Sequence, residues 1–243
     1  MDFLEITADH FLHAPAAKVE QLQQLKRNFT LIPHGLDLSL GGAEGPDKSY
    51  LDSLARLVNE LNPPWWSEHI AFTRSGGVEL GHLAPVPFRH EALDVLCRNI
   101  EKVQKKIKAP LILENITYTM RMPGAHMTEG EFLRALVERT GVGLLLDVTN
   151  LFINSRNHGY DPKLFLDELP PEAVVQLHFV GYFQQEDQYV DTHAEPTQEP
   201  VWELLAEVFN RFSVKGAILE RDDNLPPYEE LAQELQRART LMG

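Results

Sequence analysis

Cysteine is almost absent from this sequence. Its 243 residues include one cysteine, Cys97, so no intramolecular disulfide can form and thiolates of one chain cannot build a zinc site. Also absent is any run of about 18 uninterrupted apolar residues, the length that a membrane helix needs. The first seven residues, Met1–Thr7, have neither the basic start nor the apolar core of a secretory signal. We therefore expect a cytoplasmic protein with no membrane partner.

Basic residues are also few. Lys and Arg number 22 against 36 Asp and Glu, which gives a formal net charge of −14. Binding to nucleic acid draws most of its non-specific affinity from Lys and Arg, so we expect no nucleic-acid partner. The proportions of hydrophobic (43%) and charged (24%) residues are those of an ordinary globular protein. An acidic chain of this kind is suited to holding cations.

Short β-rich runs alternate with longer amphipathic stretches, which is typical of parallel β/α architecture. The predicted strands are Phe3–Thr7, Thr30–His34, Trp66–Ile70, Leu111–Ile116, Gly143–Val148, Val174–Val180 and Ala217–Glu220. The predicted helices cover 15–28, 48–61, 89–108, 128–140, 161–168, 199–212 and 227–242. No linker divides the chain, and about 250 residues is a usual length for one barrel. We predict an α/β fold, a single TIM-type (β/α) barrel over 1–243 that lacks its first strand and helix.

Nearly every predicted strand ends on a possible metal ligand. These residues are His34, His69, Glu114, Asp147, His178 and Glu220. The C-terminal strand ends of a β/α barrel converge on one face, where catalytic groups come from several strands. A buried carboxylate without a partner is costly, so such groups are usually paired or bind metal. Because these strands carry almost no Lys or Arg, we predict a metal site.

Three further ligand types, Asn150, Asp191 and His193, follow on segments that we expect to be loops. The set mixes imidazole, carboxylate and amide groups without a thiolate, which suits iron, manganese or zinc. Nine donors exceed what one ion takes, so we predict two or three ions with Glu114 as the bridge. Glu68 and Asp222 are predicted to support ligands, whereas Glu5 is interpreted as structural. Six other histidines are also interpreted as solvated or structural: His10, His13, His82, His90, His126 and His158. Of these, His158 could line the substrate entrance.

These motifs together closely resemble the DUF692 family, also called UPF0276 or the multinuclear non-heme iron-dependent oxidative enzymes, which includes the methanobactin biosynthesis oxidase. The matching stretches are His34–Gly42, Ser67–Phe72, Leu113–Asn115, Leu144–Asn150, Asn157–Pro162, His178–Gly181, Asp191–His193 and Glu220–Pro226. The resemblance implies a xylose-isomerase-like barrel that holds two or three iron ions in mixed valence, with O₂ as co-substrate. It also implies a ribosomally made precursor peptide as substrate, modified most often at cysteine and delivered by a partner protein.

The family's ligand positions coincide with the nine residues reached from the strand ends and the segments after them. The resemblance places metal ligands at His34, His69, Glu114, Asp147, Asn150, His178, Asp191, His193 and Glu220. The residues that we expect to be catalytic are Glu114, Asp147, His178 and Asp191. The chain departs from the family in two places. It has no Gly-containing strand before the segment that matches Phe3–Phe11, and Arg221 stands where a tryptophan is common.

Two other metal-dependent functions share this scaffold. A trinuclear zinc phosphoesterase resembling endonuclease IV would have histidine where Asn150 stands, and the acidic charge disfavours a DNA substrate. A sugar isomerase or epimerase with one or two divalent ions would leave Asp191 and His193 without a role. A non-catalytic binding module would not need nine ligands. The sequence favours an iron- and O₂-dependent oxidase that acts on a peptide side chain.

Overall fold

The protein consists of eleven strands and nine helices in a computed structural model that describes residues 2–243. The strands are β1 (Phe3–Thr7), β2 (Thr30–His34), β3 (Trp66–His69), β4 (Ala71–Ser75), β5 (Val78–Pro85), β6 (Leu111–Glu114), β7 (Gly143–Asp147), β8 (Val174–Phe179), β9 (Gly181–Gln185), β10 (Gln188–Glu195) and β11 (Gly216–Leu219). The helices are α1 (Asp9–Leu12), α2 (Ala16–Asn28), α3 (Lys48–Leu61), α4 (His90–Lys106), α5 (Glu129–Thr140), α6 (Val148–His158), α7 (Pro162–Glu168), α8 (Glu199–Arg211) and α9 (Tyr228–Met242).

Seven parallel strands form one sheet in the order β1-β2-β3-β6-β7-β8-β11 and roll into a nearly closed TIM-type barrel. Within residues 2–243 the two edge strands, β1 and β11, make no ladder with each other. A cavity of about 520 Å³ lies between them and α9. The ring of Phe3 reaches across this seam to Gly216, where a Cβ atom would lie 2.5 Å from it. The seam stands where an ordinary barrel has an eighth strand, as the sequence predicts.

The barrel strands are continuous aliphatic runs because both of their faces are covered. Leu113 and Leu145 are fully buried, and the surrounding helices pack against the strands through apolar faces such as the one that carries Leu54 and Val58 of α3. Helix α5 begins with a capping box, in which Thr128 and Glu131 each accept a backbone N–H of the other. None of the helices in residues 2–243 is both long and apolar enough to cross a membrane.

All seven predicted strands and all seven predicted helices are present, with strand ends within two residues of the prediction. Two helices, α1 and α6, and two antiparallel hairpins, β4–β5 and β9–β10, were not predicted. The predicted loop positions of three ligands are therefore wrong. Asn150 lies in the first turn of α6, and both Asp191 and His193 lie in β10.

Candidate metal centre

Six predicted ligands lie at the ends of six strands that are neighbours in the sheet: β2, β3, β6, β7, β8 and β11. The parallel register places His69 beside Glu114 and Asp147 beside His178. Asp147 and His178 are completely buried, and Glu220 immediately follows β11. The barrel thus brings together side chains that are up to 186 positions apart in sequence, from 34 to 220.

The first group of ligand atoms comes from His34, His69 and Glu114. The Nε2 atoms of His69 and His34 lie 3.3 and 3.5 Å from the same carboxylate oxygen, Oε2 of Glu114. The Nδ1 atoms of both rings contact residues on the side away from Glu114. Nδ1 of His34 lies 2.8 Å from the Ser67 hydroxyl, and Nδ1 of His69 lies 3.3 Å from Oε1 of Glu68. Both rings therefore direct Nε2 toward one point.

The second group consists of Glu114, Asp147, His178 and Glu220. Nδ1 of His178 lies 3.2 Å from Oε1 of Glu114 and 2.9 Å from Oε2 of Glu220. Glu114 thus faces the first group with one oxygen and the second group with the other. This is the arrangement of a bridging carboxylate.

The third group lies where the hairpin β9–β10 meets the end of β11, and it contains His193, Glu220 and Asp222. Nε2 of His193 lies 2.9 Å from Oδ2 of Asp191 and 3.9 Å from Oε2 of Glu220. Its Nδ1 lies 3.1 Å from Asp222. Glu220 belongs to both the second and the third group, whereas Asp191 contacts the third group through His193.

Asn150 is fixed by the way that α6 starts. Oδ1 of Asp147 accepts the Asn150 backbone N–H at 2.7 Å and so caps the helix. The Asn150 side-chain NH₂ donates to the Asn115 carbonyl at 3.0 Å. Only the NH₂ group of an amide can donate, so the oxygen Oδ1 faces away from that bond and remains available as a ligand.

Each of the five predicted ligands that are not histidines carries a buried oxygen that accepts no well-aligned hydrogen bond among residues 2–243, although the oxygens of Glu114 and Glu220 do face histidine nitrogens. These atoms are Glu114 Oε2, Asp147 Oδ2, Asn150 Oδ1, Asp191 Oδ1 and Glu220 Oε2. A buried oxygen without a partner costs free energy, and a charged one costs more. Bound cations would satisfy all five, and mixed imidazole and oxygen ligands suit a transition metal. These residues therefore fit a multinuclear metal centre.

The pKa values of the two central carboxylates are shifted in opposite directions. Burial raises the pKa of Glu114, but His178, His69 and His34 outweigh it and hold that pKa well below its ordinary value. Burial also raises the pKa of Asp147, and there the neighbouring carboxylates of Glu114 and others add to the shift. Around Asp147, burial and the neighbouring carboxylates thus outweigh the effect of His178.

Two histidines of the site, His69 and His193, have raised pKa values. Burial lowers the pKa of His69, but the carboxylates of Glu114 and Glu68 outweigh it and raise that pKa to about 9. Burial opposes protonation of His193 as well, and its hydrogen bonds to Asp191 and Asp222 raise the pKa to about 11. Since a metal binds the deprotonated ring, metal binding would displace these protons.

One contact to a predicted ligand was not predicted. Glu5, interpreted from the sequence as structural, lies 2.8 Å from Nε2 of His178. No local pattern marks Glu5, because its partner belongs to a strand far along the chain. The predicted supporting residues Glu68 and Asp222 do contact histidines. His158 stacks on the ring of Tyr118, with 4.5 Å between centroids.

A family model described as "RiPP precursor modification enzyme MbnB/TglH/ChrH" matches residues 1–243. A UPF0276 protein of Streptomyces avermitilis is 44% identical over 247 residues, covering 98% of this chain, which spans half of that relative's length. A UPF0276 protein of Rhizorhabdus wittichii is 36% identical, covering 99% of this chain and 86% of the relative. Among solved structures, a xylose isomerase-like TIM barrel protein from Mycobacterium smegmatis in complex with magnesium superposes with a TM-score of 0.66 at 11% identity. That superposition covers 100% of this chain and 85% of the other, and it confirms the fold.

Proposed function

Because the chain belongs to the RiPP precursor modification enzyme family MbnB/TglH/ChrH, we propose that it is an iron- and O₂-dependent oxidase acting on a precursor peptide. The proposed target is a cysteine side chain, and a partner protein delivers the peptide. The observation that carries the proposal is the set of five buried oxygens that accept no well-aligned hydrogen bond, gathered around four histidines. Bound cations would offset the cost of burying these oxygens.

The proposed ligands are the nine residues named from the sequence, and the proposed catalytic residues are Glu114, Asp147, His178 and Asp191. Bound iron would supply the redox chemistry that side chains lack, with O₂ as the oxidant. The residues supply the rest. Glu114 would place negative charge beside cations held by the first and second ligand groups. Asp147 fixes Asn150 through the helix cap. Residues behind His34 and His69 keep both Nε2 atoms directed toward Glu114.

The test is metal analysis combined with turnover. Protein made aerobically in iron-rich medium is expected to hold at least two iron ions per chain and little zinc, because the imidazole and oxygen ligands suit iron and the medium supplies iron in excess. With a cysteine-bearing precursor peptide encoded beside its gene, it is expected to consume O₂ and change the mass of the peptide. The same peptide with serine in place of cysteine is the control. Activity with zinc alone, or with a single ion, would contradict the oxidase and favour a hydrolase.

A further inference from the structure

Glu5 reaches across the open seam of the barrel. It lies in β1, whose neighbour in the sheet is β2, and pairs there with Ile32. Its side chain is only 8% exposed, and its Oε1 lies 2.8 Å from Nε2 of His178 on β8. His178 lies on the far side of the seam, because β8 is the neighbour of the other edge strand, β11. No backbone ladder within residues 2–243 crosses the seam between β11 and β1. The contact between Glu5 and His178 therefore links two parts of the barrel wall that backbone hydrogen bonds do not join.

The two ring nitrogens of His178 have different surroundings. Nδ1 faces Glu114 and Glu220, two of the proposed metal ligands, at 3.2 and 2.9 Å. Nε2 faces Glu5. A histidine ligand binds metal with one nitrogen and donates the N–H of the other, and the acceptor of that N–H sets both the tautomer and the ring orientation.

Gln176 establishes that Glu5 is the acceptor. The indole N–H of Trp65 can only donate, and it lies 2.7 Å from Oε1 of Gln176. The NH₂ group of Gln176 therefore faces the other way and donates to Oε2 of Glu5 at 2.6 Å. That NH₂ group is also 3.3 Å from Nε2 of His178, but a donor cannot accept the ring proton. The carboxylate of Glu5 is left to do so.

The other three proposed histidine ligands have a comparable partner behind the ring, but from nearer in the fold. The partner of His69 is the preceding residue, Glu68, and that of His34 is Ser67 on the next strand. Asp222 of the segment after β11 serves His193. Only for His178, among these four, does the partner come from the opposite edge of the seam.

We propose that Glu5 is a positioning residue of the metal centre, whose carboxylate accepts the Nε2–H of His178 and so presents Nδ1 to the ion shared with Glu114 and Glu220. This inference rests on the proposed function, because it requires a metal at that group. It adds a residue that touches no metal itself and that links occupancy of the centre to the edge strand β1.

The test compares Glu5→Ala and Glu5→Gln with the wild type by zinc titration of the metal-free full chain. Loss of a partner behind a histidine ligand typically weakens metal binding by about 10- to 100-fold. We expect a loss of that size for one ion in Glu5→Ala, a smaller loss in Glu5→Gln, whose amide oxygen can still accept, and unchanged stoichiometry at saturating zinc. Glu129→Gln changes a half-buried carboxyl that hydrogen-bonds to Tyr118 and to none of the nine residues. It is the matched control and is expected to bind like the wild type.

Nitrogen-15 NMR of the zinc-loaded proteins with labelled histidine gives the second readout. The His178 Nε2–H signal, assigned by its absence in His178→Gln, should be visible in the wild type and lost to solvent exchange in Glu5→Ala. Unchanged affinity and an unchanged signal would overturn the inference while leaving the metal centre intact. One ion fewer at saturation would also overturn it, by showing Glu5 to be a ligand. If Glu5→Ala does not fold, the affinity of Glu5→Gln decides. A wild type that binds neither zinc nor iron(II) would overturn the proposed function as well.

Discussion

Glu114 is the residue at which two of the three ligand groups meet, with Oε2 toward His34 and His69 and Oε1 toward His178. A carboxylate between two cations offsets their mutual repulsion. Glu114→Gln keeps the size but removes the charge and one acceptor oxygen. We therefore expect it to lose more than one metal ion per chain.

His193→Ala is the comparison for Glu114→Gln, because a terminal ligand serves a single ion, and we expect it to lose one. Metal counting on both variants, with circular dichroism as the folding control, measures the difference. A full complement in Glu114→Gln together with complete loss in His193→Ala would place the bridge elsewhere.

Glu129 offers a pH-dependent contribution to stability outside the metal centre. It lines a cavity of about 550 Å³ and accepts the Tyr118 hydroxyl at 3.1 Å. Burial raises the pKa of Glu129 from 4.5 to about 8, against the opposing effects of Tyr118 and Arg121. The folded state thus binds this proton more tightly than the unfolded state. The resulting stability is fully present below about pH 4.5 and is lost as the pH rises through 8.

Glu129→Gln is expected to remove that dependence, because glutamine stays neutral. Between pH 5 and 8.5 the free energy of unfolding of the wild type should fall relative to the variant by on the order of 2 kcal/mol, reduced from the full shift by partial contact with solvent. Urea unfolding of both proteins at the two pH values measures this. Parallel pH profiles would show that Glu129 is ionised in the folded state.

The ligands proposed at the strand ends could be predicted because each lies at the end of a short strand pattern that is visible in the local sequence alone. Leu111–Glu114 and Gly143–Asp147 both pass from aliphatic residues to an acid, and buried acids require partners. Glu5 could not be predicted in this way. Its hydrogen-bond partner Gln176 is 171 positions away, and the two meet only because the sheet curls until its edges approach each other.

At the scale of elements, the hairpin β9–β10 carries two proposed ligands to the centre. The backbone of His193 adopts a left-handed φ of 50°, and its carbonyl accepts the N–H groups of Asp222 and Asp223 at 3.0 and 3.2 Å. Gly181 opens the hairpin where β9 and β10 pack closely. A Cβ atom at this position would collide with the carbonyl oxygens of Glu195 and Pro196.

Gly181→Ala is therefore expected to push β10 away from β9 and to release the ion held by His193, while the ions near Glu114 stay. Metal counting measures the loss. Gly77→Ala at the tip of the other hairpin is the control. Its Cβ would meet nothing within 4 Å, and its φ of 76° costs roughly 1 kcal/mol for an L-residue. Equal metal loss in both variants would show that the effect is general destabilisation.

Helix α6 escaped prediction because no turn separates it from the preceding strand. Asp147 is at once the last residue of β7 and the N-cap of α6, so the usual Gly, Pro or Asn signal between elements is missing. The hairpins were missed for another reason. Most of β5 and β10 is at least partly exposed, and strands that bury little show a weak alternation of polar and apolar residues.

At the scale of the whole molecule, the barrel follows from the alternation of strands and helices, and its near-closure follows from the strand count. Consecutive parallel strands joined by crossover helices tend to be neighbours in a sheet. The order of the seven strands obeys this rule. The width of the seam was beyond prediction, because it depends on packing between β1, β11 and α9 rather than on any local pattern.

The seam also brings the two ends of the described chain together. Asp2 forms an ion pair with Arg239 of α9, and Phe3 packs on Gly216. A short linker from Gly243 to Asp2 would therefore disturb little, and the exposed turn at Gly76 and Gly77 could be opened instead. Such a circular permutation would reorder the sequence while leaving every proposed ligand on its strand. The arrangement of the proposed ligands depends on which strands are neighbours in the sheet, and a circular permutation would leave those neighbours unchanged.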